Sequence, residues 1–149
     1  MEPRHPWLGI FKKEKKMSKT YRLFISHSWG YGDAYDKMIN FFEEQGLDYY
    51  NHSVPKGDPI HTNGTDKELE AAIDAKIIGT SCIVILAGVY SSYSKWIKKE
   101  IKIANSYGKP IIAVEPWGAE KTSTLVKDNA DKIVKWQGKS IVDAIKDLG

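Results

Sequence analysis

Val84-Ile-Leu-Ala-Gly-Val-Tyr-Ser-Ser-Tyr-Ser-Lys-Trp-Ile-Lys-Lys-Glu100 is the stretch that decides the fold. A short apolar run gives way to a polar turn and then to an amphipathic segment, which reads as buried strand, loop and helix. Trp96 and Glu100 stand four residues apart, so the helix carries an aromatic and a carboxylate on one face. The strand's carboxyl end leads directly to that face, where open α/β sheets place their ligands.

The same alternation runs outward in both directions from Tyr21 to the end. Upstream, Tyr21–Ser26 reads as the first strand. A helix over about Ala34–Glu44 follows, with Tyr35, Met38, Ile39 and Phe42 on one stripe, Asp33 as its N-cap and Gly46 as its stop. A short strand at Asp48–Asn51 precedes a loop holding Pro55, Gly57, Pro59 and Gly64. Thr65 and Glu68 form a capping box for a helix whose inner face is Leu69, Ala72, Ile73 and Ile77.

The third strand, Ser81–Leu86, is nearly all apolar and therefore central. The helix carrying Trp96 and Glu100 runs to about Ser106, its core stripe being Ile97, Ile101 and Ala104. Gly108-Lys-Pro110 ends it ahead of the fourth strand, Ile111–Val114. Lys132–Trp136 reads as a weaker strand, and Ser140–Leu148 as a last helix burying Ile141, Ile145 and Leu148. The expected fold is α/β: a flavodoxin-like three-layer sandwich around a five-stranded parallel sheet of order 2-1-3-4-5.

Its 149 residues fit one domain with a sizeable core. The net charge of +3 comes entirely from residues 1–16, where five Lys/Arg face two carboxylates; the remaining 17 basic and 17 acidic residues cancel. A neutral domain lacks the basic footprint of a nucleic-acid binder, so no nucleic-acid partner is expected. Residues 1–18 read as a basic, flexible leader and 19–149 as the domain; Met17-Ser-Lys-Thr also has the look of a natural start. No secretory signal or membrane span is visible, and the lone Cys82 reads as a buried structural thiol, so a reducing cytoplasm is expected. The Asn-x-Ser/Thr matches at Asn51 and Asn63 then carry no weight.

With this topology two loops bound the crevice between strands one and three. They are Ser26-His-Ser-Trp-Gly-Tyr-Gly-Asp33 and Gly88-Val-Tyr-Ser-Ser-Tyr-Ser94, and Glu100 looks into the space between them. Hydroxyls, aromatics and glycines in that mixture suit a sugar or nucleotide bearing a ring. His52 and His61, nine residues apart with no thiol partner, do not read as metal ligands, and none is expected.

Leu23-Phe-Ile-Ser-His27, together with Tyr90-Ser-Ser-Tyr-Ser-Lys-Trp-Ile-Lys-Lys-Glu-Ile101, resembles a TIR domain. It is most similar to the TIR-like group of bacterial Thoeris anti-phage defence. The likeness covers roughly residues 19–149, with Ser94, Trp96 and Glu100 as its most specific element. It implies an enzyme, of the NAD glycohydrolase or ADP-ribosyl cyclase type, that uses Glu100 to cleave the nicotinamide–ribose bond of NAD. The product it implies is a cyclised or otherwise altered ADP-ribose that activates a separate antiviral effector protein.

In that scheme NAD is the substrate and no cofactor is needed. The substrate-binding set is Phe24, Ser26, His27, Ser28, Trp29, Asp33, Tyr90 and Trp96, with Trp29, Tyr90 and Trp96 walling out water. The chain departs from the better-known TIR pattern at Val54-Pro-Lys-Gly-Asp-Pro59, which bears on loop-mediated assembly; a homo-oligomer is compatible with the resemblance.

Plainer readings stand beside these. Glu100 can be a solvated carboxylate among Lys98, Lys99 and Lys102, and Trp96 a packing residue. Ser26, His27 and Ser28 can serve the turn alone, and Asp33 the helix cap. Two rival functions also remain: a non-catalytic TIR-like adaptor, and an enzyme resembling nucleoside deoxyribosyltransferases.

Overall fold

The computed structural model describes residues 19–26, 33–52, 66–88, 95–116 and 122–149. Five strands alternate with helices: β1 (Tyr21–Ile25), α1 (Ala34–Glu44), β2 (Tyr49–Asn51), α2 (Asp66–Ile77), β3 (Cys82–Leu86), α3 (Lys95–Ser106), β4 (Ile111–Val114), α4 (Thr124–Asp128), β5 (Lys132–Val134) and α5 (Gly138–Leu148). All strand pairs are parallel and the order is β2-β1-β3-β4-β5, as the alternation of apolar runs and amphipathic stretches predicts.

Period-two alternation along the strands divides the core between two faces. Leu23, Ile25, Val84, Ile112 and Val114 pack with Met38 and Phe42 of α1 and Ile141 and Ile145 of α5. Phe24, Ile83, Ile85, Ile111 and Ala113 pack with Ile73 and Ile77 of α2 and Ile97, Ile101 and Ala104 of α3. The chain thus leaves β1 toward one face and β3 toward the other. Their carboxyl ends form the switch point at which a crevice opens.

The helix stops are glycines in the left-handed region, Gly46 at φ +67° and Gly108 at φ +65°. Cys82 is buried and free, and burial pushes its thiol up to about 12. Among the described residues no helix is long and apolar enough to cross a membrane.

Several boundaries differ from the sequence reading. β5 ends at Val134, because its neighbour β4 ends opposite it at Val114. Trp136 therefore lies beyond the strand, and its ring meets Phe41 edge-on at 5.5 Å. α5 begins at Gly138, two residues earlier than expected. A Cβ there would stand 3.1–3.2 Å from the Phe41 side chain, so any larger residue requires Phe41 to give by a few tenths of an ångström. The five-residue α4 is additional; Ser123 caps it by accepting the Val126 N–H at 3.2 Å.

Asp33 holds the N-cap position of α1 without a capping hydrogen bond from its side chain. Its carboxylate instead pairs with Lys37 at 3.1 Å. The expected Thr65 cap and the loop from Val54 to Pro59 lie outside the described residues.

Candidate functional site

α3 is amphipathic, with Lys95, Lys98 and Lys102 exposed and Ile97, Ile101, Ile103 and Ala104 buried. Glu100 falls on the buried side and is 0% exposed. Taking a carboxylate out of water costs several kcal/mol unless partners compensate. One partner comes from the end of β1, 74 residues away. Ser26 Oγ donates to Glu100 Oε2 at 2.6 Å, within the short range of hydroxyl-to-carboxylate bonds.

Ser26 is itself 3% exposed. Its backbone N–H donates to Val84 O at 3.0 Å, so the sheet fixes the hydroxyl in place. The Ser26–Glu100 pair therefore sits where the carboxyl ends of β1 and β3 meet the first half of α3.

The solvated reading of Glu100 is overturned by this burial, and the nearby lysines have another use. Lys99 Nζ lies 2.9 Å and Lys102 Nζ 3.7 Å from Glu70 Oε1 on α2. The Lys99 hydrogen bond, aided by Lys102, holds the Glu70 carboxyl below its usual range.

The other expected site residues divide into three groups. Phe24 is fully buried in the apolar core between the sheet and α2/α3, and half-buried Trp96 packs against the same cluster. Asp33 is mostly exposed and stands at the start of α1, on the opposite face of the sheet. His27, Ser28, Trp29 and Tyr90 lie outside the described residues.

Two features had no part in the sequence reading. A cavity of about 210 Å3 opens at the carboxyl edge of the sheet, lined by Asp33, Ala34, Lys37, Leu86, Pro116 and Trp136. At the end of β2, the Nε2 of His52 is enclosed without a hydrogen-bond partner. Burial, and then the charges of Arg22 and Lys76, lower the His52 pKa. Among the described residues no cluster of His, Cys, Asp and Glu could hold a metal ion.

The profile of the Thoeris protein ThsB, TIR-like domain, matches residues 24–121. This chain belongs to that TIR-like family. The matched segment begins within β1 and takes in both Ser26 and Glu100 of the TIR-like core. No curated protein matches the chain.

Among solved structures, a conserved protein from Enterococcus faecalis V583 is similar in fold. It has a TM-score of 0.59 at 12% identity, over 87% of this chain and 99% of that one. A CMP N-glycosidase, BcmB, from Clostridium botulinum aligns at TM-score 0.48 and 20% identity, over 86% and 99%. A 3-dehydroquinate dehydratase-like protein from Bifidobacterium longum aligns at 0.48 and 11%, over 87% and 97%.

Proposed function

We propose that this TIR-like chain is an enzyme that cleaves the nicotinamide–ribose bond of NAD and converts the rest into a cyclic ADP-ribose-derived signal for a separate antiviral effector. Membership of the Thoeris TIR-like family supports the reading, and one observation carries it. A carboxylate without solvent contact, held by a buried hydroxyl, stands at the carboxyl end of a parallel sheet.

The chemistry explains why such a group is useful. Nicotinamide in NAD already bears positive charge and leaves without a proton. The barrier is the developing oxocarbenium character on the ribose, which a fixed anion stabilises. Glu100 supplies that anion, and Ser26 fixes one of its oxygens so that the charge need not reorient during the reaction. Capture of the anomeric carbon by water gives linear ADP-ribose; capture by an atom of the same molecule gives a cycle. Low dielectric around Glu100 strengthens the electrostatic stabilisation, and exclusion of water favours the cycle.

The test is nicotinamide release from NAD by the pure chain, with and without phage-derived material, beside a panel of deoxynucleosides. Mass spectrometry of infected cells expressing the chain identifies the product. Glu100→Gln keeps the size of the side chain and removes its charge, so release stops while the thermal transition is retained. A folded Glu100→Gln protein with undiminished turnover refutes the assignment. Turnover of deoxynucleosides in place of NAD redirects it, and no turnover in any condition leaves the adaptor reading standing.

A further inference from the structure

The 210 Å3 cavity lies on the α1/α5 face of the sheet, across from α3 and Glu100. Its walls are Leu86 at the end of β3, Pro116 two residues past β4, and Trp136 two residues past β5. Ala34 closes the side toward α1, and the charged heads of Asp33 and Lys37 stand at the rim. The indole is held in orientation by its edge contact with Phe41. Gly138 in turn leaves Phe41 the room it occupies.

Size and chemistry narrow the occupant. The volume falls below the roughly 300–1,000 Å3 of pockets that enclose whole drug-sized ligands, so this one takes a single ring system. Indole and proline rings offer flat apolar surfaces on which a nucleobase stacks. Lys37 is a compact cation of the kind that meets phosphate. Its side chain and that of Asp33 are 56% and 74% exposed. Exposed pairs of this kind contribute little, so an incoming phosphate can displace the carboxylate at small cost.

The cavity and Glu100 share one edge of the sheet. Ser26 bonds to Val84 at the β1/β3 junction, Ala87 to Val114, and Glu115 to Val134, so the carboxyl ends of β1, β3, β4 and β5 follow in sequence. At about 4.8 Å between strands, the cavity begins one to three spacings from Ser26, roughly 5–14 Å. A dinucleotide laid over the switch point can therefore put one nucleoside against α3 and the other against α1.

We propose that this cavity is the subsite for the adenosine-phosphate half of the dinucleotide, with Trp136 and Pro116 flanking the base and Lys37 meeting phosphate. The inference rests on Glu100 marking the nicotinamide riboside end. It makes Trp136 and Lys37 specificity determinants, since a mononucleotide substrate has nothing to place there.

The test compares NAD with nicotinamide mononucleotide as substrates of the full chain. Trp136→Ala lowers the ratio of kcat/KM for NAD to that for the mononucleotide by about tenfold, the scale of one base–aromatic stack. Lys37→Ala lowers it in the same direction. Ala34→Met narrows the cavity from the α1 side and gives the same result should Trp136→Ala fail to fold. An unchanged ratio in the folded variants overturns the subsite.

AMP serves as a probe independent of turnover, read by the indole N–H resonance of Trp136, which is assigned by its loss in Trp136→Phe. If NAD is not cleaved, AMP decides: a shift of that resonance, abolished in Lys37→Ala, keeps the nucleotide site while the NAD-cleavage reading falls. No shift at millimolar AMP removes the subsite as well.

Discussion

Replacing Ser26 by alanine probes the contact on which the candidate site is built. The change removes the 2.6 Å donor to Glu100 and leaves a carboxylate with no solvent to turn to. Deleting one partner of a buried polar pair costs about 1–3 kcal/mol, with charged groups at the upper end. For a chain of this length that lowers Tm by roughly 3–10 °C. Glu100→Met removes the carboxylate instead and takes this acceptor from the hydroxyl, at a cost nearer 1 kcal/mol. In the double variant both groups are apolar, and such exchanges are close to neutral or stabilising. The double variant is therefore more stable than Ser26→Ala alone, with a coupling energy of about 2–4 kcal/mol. Both residues have other interactions, so the cycle, and not either single variant, isolates the pair. The assay is urea and thermal denaturation of all four proteins. Strict additivity would refute the claim that Ser26 holds Glu100 in place.

The remaining expectations concern other parts of the fold. Because the folded-state pKa of His52 is lowered, protons bind the unfolded chain more readily. Its contribution is intact above the ordinary histidine value of about 6.5 and is lost as pH falls below it; His52→Gln flattens the stability profile as pH falls through that value, and an unaltered profile refutes this. Cys82, buried and with its pKa at about 12, resists iodoacetamide at pH 8 in the folded chain and reacts fully in denaturant; labelling at equal rates in both states contradicts the burial. Gly138→Ala drives a Cβ to 3.1–3.2 Å from Phe41 and, with part of the strain offset by alanine's better helix propensity, destabilises the fold by about 1 kcal/mol. A Tm equal to wild type shows that Phe41 yields freely.

The periodicity of the sequence carries most of the fold because the central strands are buried on both sides and the helices on one. α1 and β4 fall at the residues their patterns indicate, and the parallel sheet follows from alternating strand and helix, while its order is that of the flavodoxin-like arrangement. α4 leaves no such trace, since five residues make little more than one turn and show no period. Trp136 reads as strand by alternation with Val134, yet a ladder continues only as far as its neighbour, and that length is a property of β4. Glu100 is the instructive case at the site. Its spacing from Trp96 places it on a helix face but does not say whether that face is dry, and its hydroxyl partner is 74 residues away. Only the adjacency of β1 and β3 brings them together. Asp33 looks like a cap by residue type, but Lys37 one turn later draws its carboxylate away from the backbone.

Enclosure of Glu100 also bears on how the proposed enzyme behaves when idle. A group with no exposed surface meets substrate only in conformations that part the crevice, and their population scales the resting rate. An opening cost of about 4 kcal/mol holds idle turnover roughly a thousandfold below that of the open form. A ligand, a partner or a second copy that favours the open form by the same amount restores about half of the open form's activity without touching the chemistry. In the proposed NAD-cleaving reaction, thrift toward substrate and speed once roused then become two settings of a single conformational equilibrium.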